Sequence, residues 1–388
     1  MSTPIASTSL EPGKALAGKV LETNLNPELR KSHTGLKQKT NVREKLSSLS
    51  RDKGNKNRMK IAFCWPTISG YMSACWKALH ERAEVNLFVM AYLPAGNEPE
   101  YNPSDLLGHV PNRLLREDER FDINLIRNKL AEVQPDALFI PGWMNPVYVK
   151  LALSKQLARI PIIMTMDNPR KPGSVRQALA RLKLRRVLNR IDGAFVTGER
   201  CWQLARHLNL PEQKIWRGAY GVDVRNLAPL LEKRKSRHQG WPKRFLYLGQ
   251  FYGRKGIRTL SEAYRLYRET VEKPWPLRTC GSGPLREQFR NVEGVEECGF
   301  VQPAEVLEHM IESGVLVHPS HRDAWPLAIV EGCAAGLPVV CSEACGSSVE
   351  LIRPFHNGLT APTKDPISLA NRLIWMHTNH NQLEQMGT

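Results

Sequence analysis

The sequence has no apolar run approaching the roughly 20 residues that a membrane-spanning helix needs, and its start lacks the apolar core of a secretion leader. Neither a spanning nor a secreted protein is therefore expected. The expectation is a cytoplasmic one, with peripheral attachment to the inner face of a membrane left open. Its 8 cysteines are scattered, several inside apolar runs, and no CxxC pair occurs. They are expected to be buried thiols in a reducing compartment, forming neither a disulfide frame nor a zinc site. Phe, Tyr and Trp are absent from residues 1–58, which are rich in Lys, Asn, Ser and Thr. Such a segment buries too little apolar surface to offset the entropy of ordering, so a flexible basic extension is predicted there. Acidic residues are in deficit as well, 38 Asp plus Glu against 55 Lys plus Arg, for a formal net charge of +17. The surplus favours anionic partners such as nucleotides or phospholipid headgroups. Nucleic acid is not expected, because no zinc finger, RNA-binding aromatic motif or recognition helix is present.

At 388 residues the chain exceeds the roughly 250 to 300 at which a single core usually stops growing, so two domains are expected. From Met59 onward short apolar runs alternate with helical patterns. Strands are predicted at Ile61–Trp65, Val85–Ala91, Ala137–Pro141, Ile160–Met164 and Gly193–Thr197. Helices are predicted over Tyr71–His80, Ile123–Glu132, Val147–Leu157, Val175–Asn189 and Arg200–Leu208. Strands apolar on both faces and separated by helices indicate a parallel sheet covered on both sides. The polar stretch 221–243 interrupts the rhythm and suits a linker, after which a second series begins with RFLYLGQ. The predicted organisation is α/β throughout: an N-terminal domain over 59–220, the linker, and a C-terminal domain over 244–388, two Rossmann-like units facing each other across a cleft.

The chemistry-bearing residues cluster in the second unit. LGQFYGRKG carries Gly249, Gly253 and Gly256 beside Arg254 and Lys255, a strand-to-loop passage in which backbone amides and cations can meet a phosphate, though an ordinary basic turn has the same composition. Gly281-Ser282-Gly283-Pro284 follows an apolar-ending strand. Pro284 suits a first helical position, with free amides beside the two glycines. In HRDAWPLAIVEGCAAGLPVV, Asp323 stands just before a helix that starts near Pro326, and Glu331 lies on its second turn. An unpaired carboxylate among so many apolar residues is costly unless hydroxyl donors reach it, and ribose hydroxyls are such donors.

Together these segments resemble the retaining glycosyltransferases of the GT4 family, which have the GT-B architecture of two facing Rossmann-like domains. The resemblance rests on Asp323, seven intervening residues, Glu331 and AAGLPVV; on Gly249, Gln250, Lys255 and Gly256; and on Gly281 to Pro284. It implies that Glu331 holds the donor ribose, that Asp323 touches the transferred sugar, and that Lys255, with Arg254 near it, meets the diphosphate. Amides around Gly283 and just after Asp323 assist. It further implies that the donor is a nucleoside diphosphate sugar; no paired aspartates or histidine cluster marks a metal cage, so neither metal nor cofactor is expected. The chain departs from the family at three places: Asp323 replaces the usual Glu, Gln250 stands where many relatives have Arg, and the histidine often found near Asp167 is missing. In relatives the chain usually continues into a helix returning to the first lobe, so the second domain is expected to be cut short at its end.

In the first unit the resemblance sets the turn at Ser69-Gly70 beside the donor phosphate. Asp167, at a strand's carboxyl end, either orients the acceptor and balances positive charge on the sugar or simply makes a turn before Pro169. Residues 169–190 contain eight Lys or Arg and no Asp or Glu. This segment suits either an anionic membrane bearing a lipid-linked acceptor or a solvated basic helix. Trp143 with Tyr148, and Trp65 with Tyr71, are either sugar-stacking pairs or core. The acceptor is expected to be a glycan or lipid-linked. Two rival functions are a nucleotide-sugar epimerase or glycogen-type synthase of the same architecture, and a nucleotide-sugar-binding or partner protein without turnover.

Overall fold

The computed structural model describes residues 58–93 and 103–388. Apart from Arg58, the extension anticipated over 1–58 lies outside the described residues. The first sheet consists of β1 (Met59–Trp65), β2 (Val85–Tyr92), β3 (Asn112–Leu115), β4 (Ala137–Pro141), β5 (Ile162–Met166), β6 (Gly193–Val196) and β7 (Ile215–Arg217). Its order is β3-β2-β1-β4-β5-β6-β7. The second consists of β8 (Phe245–Leu248), β9 (Leu277–Cys280), β10 (Val295–Gly299), β11 (Val315–His318), β12 (Val339–Ser342) and β13 (Gly358–Ala361), in the order β10-β9-β8-β11-β12-β13. All strand pairings are parallel. The two Rossmann-like units expected from the sequence are therefore present.

Continuous apolar runs make these strands because helices cover both faces: β5, β8 and β11 are buried at every position. In each sheet the order reverses beside the first strand, between β1 and β4 and again between β8 and β11. Loops leaving the carboxyl ends there form the crevice in which open α/β sheets take ligands. Among the described residues no helix is long and apolar enough to cross a membrane.

Several boundaries differ from the sequence expectation. The strand expected at Ile160 begins at Ile162, since Pro161 has no amide to donate and the Ile160 amide closes a turn on the Leu157 carbonyl at 3.0 Å. The helix expected over Val147–Leu157 stops at Ala152, and Lys155–Leu157 forms a separate 3₁₀ turn. The one expected over Val175–Asn189 breaks at Leu184 into Val175–Lys183 and Arg185–Arg190. None of the first piece is buried, whereas Val187 and Leu188 of the second are, so the break lets only the second dock on the sheet.

The stretch 221–243, whose composition predicts a linker, carries the helices Val224–Leu227 and Leu230–Arg237. Leu227 and Leu230 join the core beneath the second sheet. Arg234 explains how so charged a helix packs inward. Its guanidinium is fully buried, donates to the carbonyls of Met310 (3.2 and 2.8 Å), Ala335 (3.1 Å) and Gly336 (3.1 Å), and lies 5.0 Å from the Trp241 ring. Burial depresses its pKa to about 10, and no carboxylate balances it. Arg234→Ala leaves three carbonyls without their donor. It is expected to destabilise the chain by roughly 2 to 4 kcal/mol in urea unfolding, and a loss below about 1 kcal/mol would refute this role.

Candidate functional site

The site is built on the loops after β8, β9 and β11. The loop after β11 brings Asp323 back toward the strand end, where Oδ2 lies 2.5 Å from Lys255 Nζ and 3.4 Å from His318 Nε2. Both members of the ion pair are largely withdrawn from solvent, at 11% exposure for Asp323 and 15% for Lys255. Burial works against the Asp323 charge, but the His318 contact and the Lys255 ammonium outweigh it and hold the carboxyl at about 2. His318 is itself buried, with Nε2 also 3.1 Å from Ser320 Oγ and Nδ1 unpartnered.

Glu331 sits on the second turn of the Leu327–Ala334 helix, which leaves this loop. No donor among the described residues reaches its carboxylate. Burial alone raises its pKa from 4.5 to about 7. Two carboxylates eight residues apart are thus driven in opposite directions, one pinned ionised by a cation and the other left desolvated with no partner.

Main-chain contacts lock the loops together. The amides of His321 and Arg322 donate to the Arg254 carbonyl at 2.8 and 3.2 Å, joining the acidic loop to the Lys255 loop. At Gly256, with φ +75°, a Cβ would stand 2.1 Å from the Pro319 carbonyl oxygen, so only glycine permits this approach. The loop after β9 is tied in by the Phe251 amide donating to Ser282 O at 2.7 Å and the Leu285 amide donating to Phe251 O at 3.0 Å. A Cβ on Gly281, with φ +154°, would lie 1.9 Å from Gly249 O.

The other predicted residues fall around this centre with different roles. Gln250 and Arg254 are exposed at the rim, where Arg254 donates to Gln250 Oε1 at 3.0 Å; neither touches Asp323. Gly249 lies at the Gly281 crossing. Gly281 spends its amide on the Gly299 carbonyl at 2.7 Å, whereas the amides of Ser282 and Gly283 have no protein acceptor among the described residues. Pro284 does not open an α-helix, contrary to expectation. It lies in a turn pinned to Phe251, followed only by the 3₁₀ turn Arg286–Gln288.

On the facing lobe, Gly70 begins the helix Gly70–His80 directly opposite Pro303 of the second lobe, 3.8 Å from where a Cβ would be. Burial raises the pKa of Asp167, just past the end of β5, and the charge of Asp323 raises it further. The lobes also meet through Arg200, whose NH2 donates to the Glu343 carbonyl at 2.9 Å. Trp65 and Tyr148 are core: both are buried, and the Tyr148 hydroxyl donates to the Trp65 carbonyl at 3.1 Å. The sugar-stacking alternative does not hold for these two. Sequence reasoning missed His318 as the second partner of Asp323. Its signal is a polar residue closing an otherwise apolar strand, VLVH.

Residues 231–388 match the family model described as glycosyl transferases group 1. Among curated proteins, the amylovoran biosynthesis glycosyltransferase AmsK of Erwinia amylovora is 28% identical over 180 residues, 43% of this chain and 43% of that protein. The D-rhamnosyltransferase WbpZ of Pseudomonas aeruginosa is 24% identical over 154 residues, 38% of this chain and 39% of that protein. An exopolysaccharide phosphotransferase of Streptomyces coelicolor is 33% identical over 121 residues, but these are only 13% of its length. The chain thus matches less than half the length of each of these relatives. Among solved structures, Anabaena HepE in complex with UDP-glucose superposes with a TM-score of 0.65 at 16% identity, covering 85% of this chain and 93% of that one. Sucrose-phosphate synthase from Thermosynechococcus elongatus superposes with a TM-score of 0.63 at 18% identity, covering 85% and 92%. The fold is GT-B.

Proposed function

We propose that the chain is a glycosyltransferase moving a sugar from a nucleoside diphosphate sugar to an acceptor hydroxyl, with retention at the anomeric carbon, in glycan, polysaccharide or glycolipid synthesis. The observation that carries this reading is the half-buried, partnerless Glu331 carboxylate on the helix leaving the Asp323–Lys255 loop. Paired ribose hydroxyls supply the donors it lacks. The family match over the same half of the chain, and the solved neighbours holding UDP or UDP-glucose, support that ligand class.

In this reading the diphosphate enters between the Lys255 loop and the free amides of Ser282 and Gly283, and the Lys255 ammonium takes up the charge that develops as the sugar departs. The bond from the anomeric carbon to the diphosphate oxygen breaks, a bond to the acceptor oxygen forms on the same face, and the acceptor proton passes to the released phosphate oxygen. Asp323 grips the transferred sugar, and Asp167 faces it from the acceptor lobe. Facing lobes keep water from intercepting the donor. The test is thermal-shift screening of nucleoside diphosphates and their sugars on wild type and Glu331→Ala. Stabilisation by one nucleotide, lost in the variant, is expected; identical shifts would refute the ribose role. The engaged Gln250–Arg254 pair, standing where relatives carry a free arginine, favours a second reading as a binding protein. Saturable binding of a donor with neither hydrolysis nor transfer would establish that alternative.

The acceptor side is proposed to rest on an anionic membrane surface. Along the Val175–Lys183 helix, Val175, Leu179 and Leu182 are 71%, 48% and 71% exposed on one side, among Arg176, Arg181 and Lys183. Arg190 is excluded from that surface, because it is spent on the carbonyls of Leu157 and Ile160. Leu179→Glu with Leu182→Glu is expected to reduce co-sedimentation with anionic vesicles at least about tenfold while leaving nucleotide affinity unchanged. Unchanged sedimentation would remove the membrane from the proposal.

A further inference from the structure

Beneath the cleft loop that follows β9, Cys280, Cys298 and His309 converge so that their sulfurs and a ring nitrogen all lie within 4.8 Å of one another. Three separate elements supply them: the end of β9, the β10 bulge, and the Pro303–Ile311 helix. The bulge is what makes the pairing possible. Glu297 pairs with Thr279 and Gly299 with Cys280, so Cys298 is the extra residue, and its sulfur comes within 4.8 Å of that of Cys280. Cys280 is 2% exposed and Cys298 is open to solvent, which gives the cluster a shielded floor and an entrance.

We propose that these three side chains form a zinc(II) site, with water completing the fourth position on the Cys298 side. Two thiolates and one imidazole are the ligands that zinc takes in tetrahedral sites, where they stand about 3.3 to 3.8 Å apart, and closing to that spacing needs only side-chain adjustment. A disulfide would use the two sulfurs alone and gives no reason for a third soft ligand to converge on them. The surroundings suit the ion. Arg278 lies beside the trio with its charge met by Glu296, to which its Nε and Nη2 donate at 2.9 Å each. The contact between Arg278 and His309 Nδ1 is 3.4 Å, long enough to be given up where that nitrogen binds the ion. Binding releases the two thiol protons to solvent. The occupied site clamps β9, β10 and the helix together at the root of the Gly281–Pro284 turn. This inference is independent of the transferase reading.

The test uses the full chain, reduced and metal-stripped, titrated with cobalt(II). The expected result is thiolate-to-cobalt charge-transfer absorption with the visible bands of a tetrahedral field, saturating at about one ion per chain and displaced by zinc. Cys298→Ser, at an exposed position that tolerates the change, and His309→Ala are each expected to weaken binding at least about tenfold. Zinc should raise the melting temperature of wild type and raise that of Cys298→Ser by clearly less at the same zinc concentration. Absence of the charge-transfer band overturns the proposal. So does an equal band in Cys298→Ser, which would locate the metal elsewhere in the chain, or a Cys280–Cys298 disulfide recovered by mass spectrometry from the metal-stripped chain under mild reductant.

Discussion

Glu331→Gln is expected to melt higher than wild type at neutral pH while binding nucleoside diphosphate at least tenfold more weakly. The two effects have one origin. The carboxyl titrates at 4.5 when free and at about 7 in the folded chain. Below pH 4.5 it is protonated in both states and contributes no pH dependence. Between 4.5 and 7 the folded chain retains a proton that the unfolded chain releases, so stability falls as pH rises, and above about 7 the loss is complete at roughly 3 kcal/mol. An amide has no charge to desolvate, so the variant escapes this loss near pH 8 and resembles wild type near pH 4. It also accepts more weakly from two hydroxyls, a loss of about 1.5 to 3 kcal/mol. Since ligand hydroxyls favour the ionised form, wild-type affinity should fall as pH drops below about 7, and the fall should be shallower in Glu331→Gln. Melting curves and calorimetric titration at both pH values decide the matter. A variant that binds normally, or melts lower at neutral pH, would show that this carboxylate has another purpose.

Lys255→Ala is expected to lower turnover by roughly 10²- to 10³-fold, the usual effect of removing one preorganised donor from a site of developing charge. It also strips Asp323 of its cation, so part of the damage could reflect a weakened fold. The sign of the Asp323 titration separates the two effects. Its carboxyl is held at about 2 against 3.8 when free, so His318 and Lys255 together contribute stability that is full above pH 3.8 and lost as pH falls toward 2. Lys255→Ala should therefore reduce stability at neutral pH, and adding Asp323→Asn should restore much of it by removing the stranded charge. Turnover should not return in the double variant. Recovery of activity along with stability would assign Lys255 a structural role only.

The alternation of buried strands and helices was legible because parallel sheets covered on both faces require uninterrupted apolar runs. Edge elements were less so: in β3 only Leu115 is buried, and β7 has three residues, too few for a periodic signal. The helices inside 221–243 were hidden because their decisive residue is an arginine, and composition alone does not reveal that Arg234 finds carbonyls on two other segments. At the site, spacing placed Asp323 and Glu331 on one loop and helix, and the structure brings Lys255 to the first of them. The opposed electrostatics of the two carboxylates depend on what stands beside each, as does the part played by His318. The trio of Cys280, Cys298 and His309 has no sequence spacing to announce it, since a single extra residue in β10 creates it.

The seam between the Lys255 and Asp323 loops is made of peptide groups, the Arg254 carbonyl receiving two amides. Peptide groups are indifferent to which side chains flank them. Exchanges at positions 250, 254 or 323 can therefore change charge and reach at the cleft while the underlying frame keeps its shape, and under the proposed transferase reading single exchanges there would alter which donor is accepted.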